Sequence, residues 1–139
     1  MAVLFALAAP ARAQSGPTAE DRAAAAASAG RELFEQGRWM EAHARFTEAQ
    51  SLAYSPVFEL YAARALRNAG KLVGARERYA HVVETELPAS APPAFTAAKD
   101  DAKRELAQLE PRIPRLTFRP SRPLARGGEI LVDGAVVAA

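Results

Sequence analysis

The chain has no cysteine, which excludes disulfide staples, thiolate nucleophiles and Cys-ligated zinc. It has two histidines, His43 and His81, and neither has a close acidic partner at a metal-like spacing, so no metal centre is expected. The formal net charge is only +2 over 139 residues, too small a field to point to nucleic acid. No apolar run approaches the ~20 residues needed to span a bilayer. There is no Gly-x-Ser-x-Gly elbow, P-loop or dinucleotide fingerprint, and Gly127-Gly128 is a turn with no helix after it to cradle a phosphate. The paired carboxylates Glu84 with Glu86, and Asp100 with Asp101, sit on polar helix faces or ends beside basic residues, which reads as solvation rather than acid–base chemistry. The expectation is a non-enzyme with no cofactor.

Half of the chain is apolar, but much of that is alanine, so the core is thin for its length. Alanine, leucine, glutamate and arginine dominate the middle, and these are strong helix formers. The apolar spacing predicts five helices: Ala19 to Gln36, Trp39 to Ala53, Pro56 to Asn68, Leu72 to Glu86 and Ala94 to Glu110. Gly37 and Gly70 supply stops, and Pro56 suits a first helical turn. The expected inner stripes are Ala23, Ala26, Ala29, Gly30 and Leu33; then Trp39, Ala42, Phe46 and Ala49; then Leu60, Ala63 and Leu66; then Ala75, Tyr79 and Val82; and finally Ala98, Ala102, Leu106 and Leu109. On the fifth helix, Lys99, Asp100, Lys103, Arg104 and Glu105 are expected on the opposite, polar side. A stiff proline-rich connector, Leu87 to Pro93, precedes that helix.

Gly37, Trp39, Ala42, Phe46 and Ala49 recur 33 residues later as Gly70, Leu72, Ala75, Tyr79 and Val82. A period in this range marks stacked supersecondary units, and stacked units are interaction scaffolds. The placement of small and large residues resembles the tetratricopeptide repeat over about Ala23 to Pro88. Gly30 and Ala63 match the small residue late in its first helix, Leu33 and Leu66 the large residue after it, and Ala42, Phe46 and Ala49 the second-helix pattern. The early tryptophan is absent, with Ala26 and Glu59 in its place, and the period is one short of the usual ~34. The resemblance implies an all-α fold of two antiparallel helical hairpins plus a capping helix. A plain two-hairpin bundle is the competing reading.

Both ends differ from the middle. Ala2 to Ala9 is an apolar run ending in Ala11-Arg12-Ala13, small residues where a signal peptidase reads. Residues 1–13 are therefore expected to be a signal peptide, 14–18 a linker, 19–110 the helical domain, and 111–139 a Pro/Arg-rich short β segment; no Lys or Arg precedes the apolar run, and the competing reading is an Ala-rich leader on a cytosolic protein. Arg112 to Pro120 alternates apolar and basic residues, and Glu129 to Val132, Asp133-Gly134 and Ala135 to Val137 read as strand, turn and strand. Glu129-Ile130-Leu131-Val132-Asp133-Gly134 resembles the start of a PEGA-type β-domain, which implies a bacterial cell-envelope or periplasmic setting.

If the repeat resemblance holds, its ligand groove is lined by the first helix of each pair. The matching positions are Arg31, Phe34 and Glu35, then Val57, Leu60, Arg64, Arg67 and Asn68. Arg31, Arg64 and Asn68 would hold a carboxylate of a partner protein or peptide by charge-assisted hydrogen bonds, and Phe34, Val57 and Leu60 would grip an apolar side chain. The bland reading is that Arg31 pairs with Glu35 while Arg64 and Arg67 are solvated. The leading function is an exported protein–protein scaffold. The alternative is an envelope anchor whose basic tail, Arg112, Arg115, Arg119, Arg122 and Arg126, meets a membrane surface or cell-wall polymer while the helices act as a spacer.

Overall fold

Thr18 opens the first helix with a reciprocal cap: its Oγ1 accepts the Asp21 backbone N–H at 3.1 Å, and Asp21 Oδ2 accepts the Thr18 N–H at 3.0 Å. The computed structural model describes residues 16–115, 130–132 and 135–138. Five helices follow one another: α1 (Ala19–Glu35), α2 (Trp39–Leu52), α3 (Pro56–Asn68), α4 (Leu72–Glu84) and α5 (Pro93–Leu109). They pack as an all-helical bundle, and each expected helix lies where the apolar spacing put it, within two residues at either end. Ser55 caps α3, its hydroxyl accepting the Val57 N–H at 3.3 Å, and Pro56 takes the first-turn position where its missing N–H costs nothing.

The turns from α1 to α2 and from α3 to α4 are the same structure. Gly37 and Gly70 both sit at φ +75°, a conformation only glycine adopts without strain. Gly37 N–H donates to the Phe34 carbonyl and Gly70 N–H to that of Arg67, each at 3.1 Å. Arg38 N–H reaches back to Leu33 and Lys71 N–H to Leu66, each at 2.9 Å. These are paired Schellman closures, which satisfy carbonyls the helix end would otherwise leave open. The 33-residue recurrence thus extends to backbone hydrogen bonds.

The core has two clusters that share α3. Ala26, Ala27, Ala42, Phe46 and Ala49 of the first hairpin meet Ala62 and Ala65. Leu60, Ala63, Leu66, Ala75, Tyr79 and Val82 of the second hairpin meet Ala98, Ala102 and Leu109 of α5. The small residue at position 30 decides how closely the first hairpin closes: a Cβ there would stand 3.1–3.2 Å from the buried Phe46 ring. In α1 the inner stripe turns toward Ala27, while Ala29 and Leu33 are only partly covered. No described helix is long and apolar enough to cross a membrane.

Beyond α5 the chain makes a 3-10 turn, Glu110–Arg112. The expected strand from Arg112 therefore does not begin there: Pro111 and the Ile113 N–H bonded to the Glu110 carbonyl at 3.3 Å keep this stretch curled. Residues 116–120 of that expected strand lie outside the described residues, as do the signal-peptide residues 1–13 and the turn Asp133-Gly134. Ile130–Val132 (β1) and Ala135–Ala138 (β2) pair antiparallel, with Leu131 opposite Val136 and Val132 opposite Ala135.

Candidate functional site

The expected groove residues divide into three groups. Arg31, Phe34 and Arg64 gather around one side chain that sequence reasoning did not single out, Tyr61. Its ring stacks on Phe46, centroids 5.3 Å apart, and meets Phe34 edge-on at 6.1 Å. The Arg31 and Arg64 guanidinium groups lie 5.8 and 5.2 Å from its centre, within cation–π range. Phe34 in turn meets Trp39 edge-on at 4.8 Å. The i,i+4 pairing of Arg31 with Glu35 does not occur; Arg31 turns to the ring instead. Tyr61 lies three before Arg64 on α3, and that helical spacing was the available signal.

A second group, Arg64 and Arg67, is already engaged. Arg64 Nε donates to Glu105 Oε1 at 2.9 Å and its Nη2 to Asp101 Oδ2 at 2.9 Å. Arg67 Nη1 donates to Glu105 Oε2 at 2.8 Å, and the Tyr79 hydroxyl donates to the same oxygen at 2.7 Å. Glu105 and Asp101 come from α5, placed there because Ala98, Ala102 and Leu109 on the same helix pack into the second core cluster. This corrects two expectations. Glu105 does not face away from the core: its side chain is only 15% exposed. Arg64 and Arg67 are not merely solvated: carboxylates from α5 pair with both, and their side chains stay 20% and 27% exposed. Asp101 also takes Arg104 of its own helix. Lys99, expected on the polar side, donates to the Thr85 carbonyl at 2.6 Å and ties α5 to the end of α4.

Electrostatics follows the geometry. Burial pushes the Glu105 carboxyl upward, but hydrogen bonds from Arg64 and Tyr79 and the charges of Arg64 and Arg67 outweigh it and hold the group below its ordinary value. Burial, then the hydrogen bond to Glu105 and its charge, drives the Tyr79 phenol well above its ordinary value, so it stays a donor. Burial also works against the Arg64 charge, and Glu105 and Asp101 more than restore it.

The remaining groove residues separate. Leu60 is core, 3% exposed, and so is not free to grip a ligand side chain, while Val57 packs partly buried at the rim of the same cluster. The helical face that lines the expected groove also points Leu60 toward α4 and α5. Glu35 and Asn68 are exposed and make no side-chain hydrogen bond or ion pair among the described residues.

The two histidines stand on the side of α2 and α4. Glu59, where the family pattern has tryptophan, is buried and accepts from Arg78 at 2.9 Å, with His81 Nδ1 3.8 Å away. His81 is exposed; His43 is partly covered, with its Nδ1 buried and without a hydrogen-bond partner among the described residues. Burial, then the Arg78 charge, lowers the His43 pKa against opposing effects from the Ala62 backbone and Glu59. No group of three or more metal-ligating side chains assembles among the described residues.

The geometry defines a class only at the level of architecture: an all-helical bundle of five helices in which the α1–α2 and α3–α4 turns are alike. Set against models of known protein families, curated proteins and solved structures, the chain matches none of them.

Proposed function

We propose that this chain is an exported adaptor of the tetratricopeptide type in the bacterial cell envelope, holding a segment of another protein against its α1–α3 face. In this reading residues 1–13 are a signal peptide, 14–18 a linker, 19–110 the repeat domain and 111–139 a Pro/Arg-rich segment that includes the β1–β2 pair. The observation that carries it is the recurrence, 33 residues apart, of one hairpin turn with the same torsions and the same hydrogen bonds. Repeating units of this kind present parallel rows of side chains on a preformed surface, which is how helical scaffolds bind extended or helical segments. The row available here is Arg31, Phe34 and Glu35 with the partly buried Tyr61. Arg64 and Arg67 support it from behind through Glu105.

A photo-crosslinking amino acid at position 31 tests this in fractionated cells, with position 76 on α4 for comparison. The expected outcome is a discrete crosslinked protein from position 31 only, in the envelope fraction, on a chain starting at Gln14. Equal crosslinking from both positions, or none from position 31, overturns the α1–α3 face as the site. A species retaining its first residues in the cytosol overturns export.

A further inference from the structure

The two ends of the helical stack are treated differently. At one end α5 covers the second hairpin with Ala98, Ala102 and Leu109. At the other, no described element covers the outer face of α1 and α2, which carries two grooves of about 530 and 460 Å³. The first is bordered by Ala29, Glu32, Leu33, Gln36, Arg38 and Arg45, the second by Arg22, Ala25, Ala29, Glu48 and Leu52 among others. Shifted by the 33-residue period, Ala25 and Ser28 correspond to Phe58 and Tyr61, which pack against the first hairpin from α3. The outer face therefore occupies a stacking position but has small residues where the inner junction has aromatic rings. A shallow face of that kind admits another helix closely.

We propose that this face pairs with the same face of a second copy of the chain, α1 against α1 and α2 against α2, antiparallel about a two-fold axis. Charge complementarity carries the choice of occupant. A two-fold axis brings together residues equidistant from a centre. Along α1, Arg22 and Glu32 lie five residues either side of Ala27, and Ala25 and Ala29 lie two either side. Pairing at Ala27 therefore sets Arg22 against Glu32 of the second copy twice over, with Ala25 against Ala29 between them. Both charged residues are exposed and unpaired among the described residues, so each has a partner to gain.

The α2 pattern fits the same axis. Arg22 shares a groove with Leu52, and Gln36 shares one with Arg38, so Ala27 stands at about the height of Thr47. Arg45 and Glu48 straddle that height. They pair with each other at 2.8 Å, and the two-fold lays each pair over its reversed copy as an alternating four-charge cluster. A different partner protein would place no mirror condition on these positions. The ion pairs set register, while close contact of the small-residue face excludes water.

The test is sedimentation velocity of the purified full chain over a wide concentration range, with circular dichroism to verify folding of each variant. A concentration-dependent shift from 14.8 kDa to twice that mass is expected. Arg22→Glu and Glu32→Arg each create two like-charge contacts and should weaken association roughly tenfold or more. The double variant R22E/E32R restores the pairs with reversed sign and should recover the original association. Ala29→Glu, at the centre of the face, should leave a folded monomer. A chain monomeric at every concentration overturns the proposal. So does a dimer indifferent to A29E, or a double variant no better than either single one, since both place the contact elsewhere or in another register.

Discussion

Glu105 accepts hydrogen bonds from three side chains on two helices, Arg64 and Arg67 of α3 and Tyr79 of α4. Removing its charge leaves two half-buried guanidinium groups short of a partner, and such a loss costs more than a surface ion pair is worth. Glu105→Gln should destabilise the protein by about 2 kcal/mol at neutral pH, read from urea unfolding. The sign of the pH effect follows from the depressed pKa. The folded carboxyl titrates below the unfolded value near 4.5, so its contribution is complete above that pH and is lost as pH falls through the folded value. The gap between wild type and Glu105→Gln should therefore close on acidification below about 4.5. A gap that stays constant down to the acid transition would show that Glu105 acts by shape alone.

At the scale of elements, the two hairpin turns depend on their glycines rather than on side-chain contacts. Nothing lies within 4 Å of where a Cβ at Gly70 would stand, so the cost of adding one is the left-handed torsion itself. Gly70→Ala should cost about 1–2 kcal/mol with no change in packing. Gly37→Ala should cost a similar amount, its nearest neighbour being the Trp39 ring at 3.7 Å, an ordinary contact. Chemical denaturation of both variants checks this; a large difference between them would show that the shared torsions conceal different strain. These turns were legible in sequence because a glycine after a helical stripe has one main structural use. The helices were legible because Ala, Leu and Arg at 3.6-residue spacing leave little alternative. The partner of each charged face was not legible, since the ion pairs of Arg64 and Arg67 span 37 to 41 residues.

For the molecule as a whole, two core clusters joined through α3 imply graded rather than uniform stability. Leu109 is 1% exposed and anchors the far end of α5 against the second hairpin. Leu109→Ala should cost about 2–4 kcal/mol by opening a cavity. Amide exchange should then accelerate most in α4 and α5 and least in α1 and α2. Equal acceleration throughout would mean that the two clusters unfold as one unit. The fifth helix is thus an integral part of the second hairpin's core, and its two carboxylates occupy the arginines that a repeat pattern alone would offer to a ligand.

The sequence by itself determined the five helices, their turns and most inner faces, because these follow from local propensity, the glycine stops and apolar period. The 33-residue spacing of Gly37 and Gly70 was also readable there, and the two turns it marks share their glycine torsion and hydrogen bonds. Only the tertiary structure decided which exposed-looking charges were free. Helical spacing places Arg31, Arg64 and Arg67 on related faces but says nothing of what comes across from α5. Packing of Ala98, Ala102 and Leu109 fixes the rotation of that helix, and the rotation delivers Glu105 to Arg64 and Arg67 while leaving Arg31 beside Tyr61. Contacts between residues far apart in the chain are set by how apolar faces fit together, and that fit is a property of the folded whole.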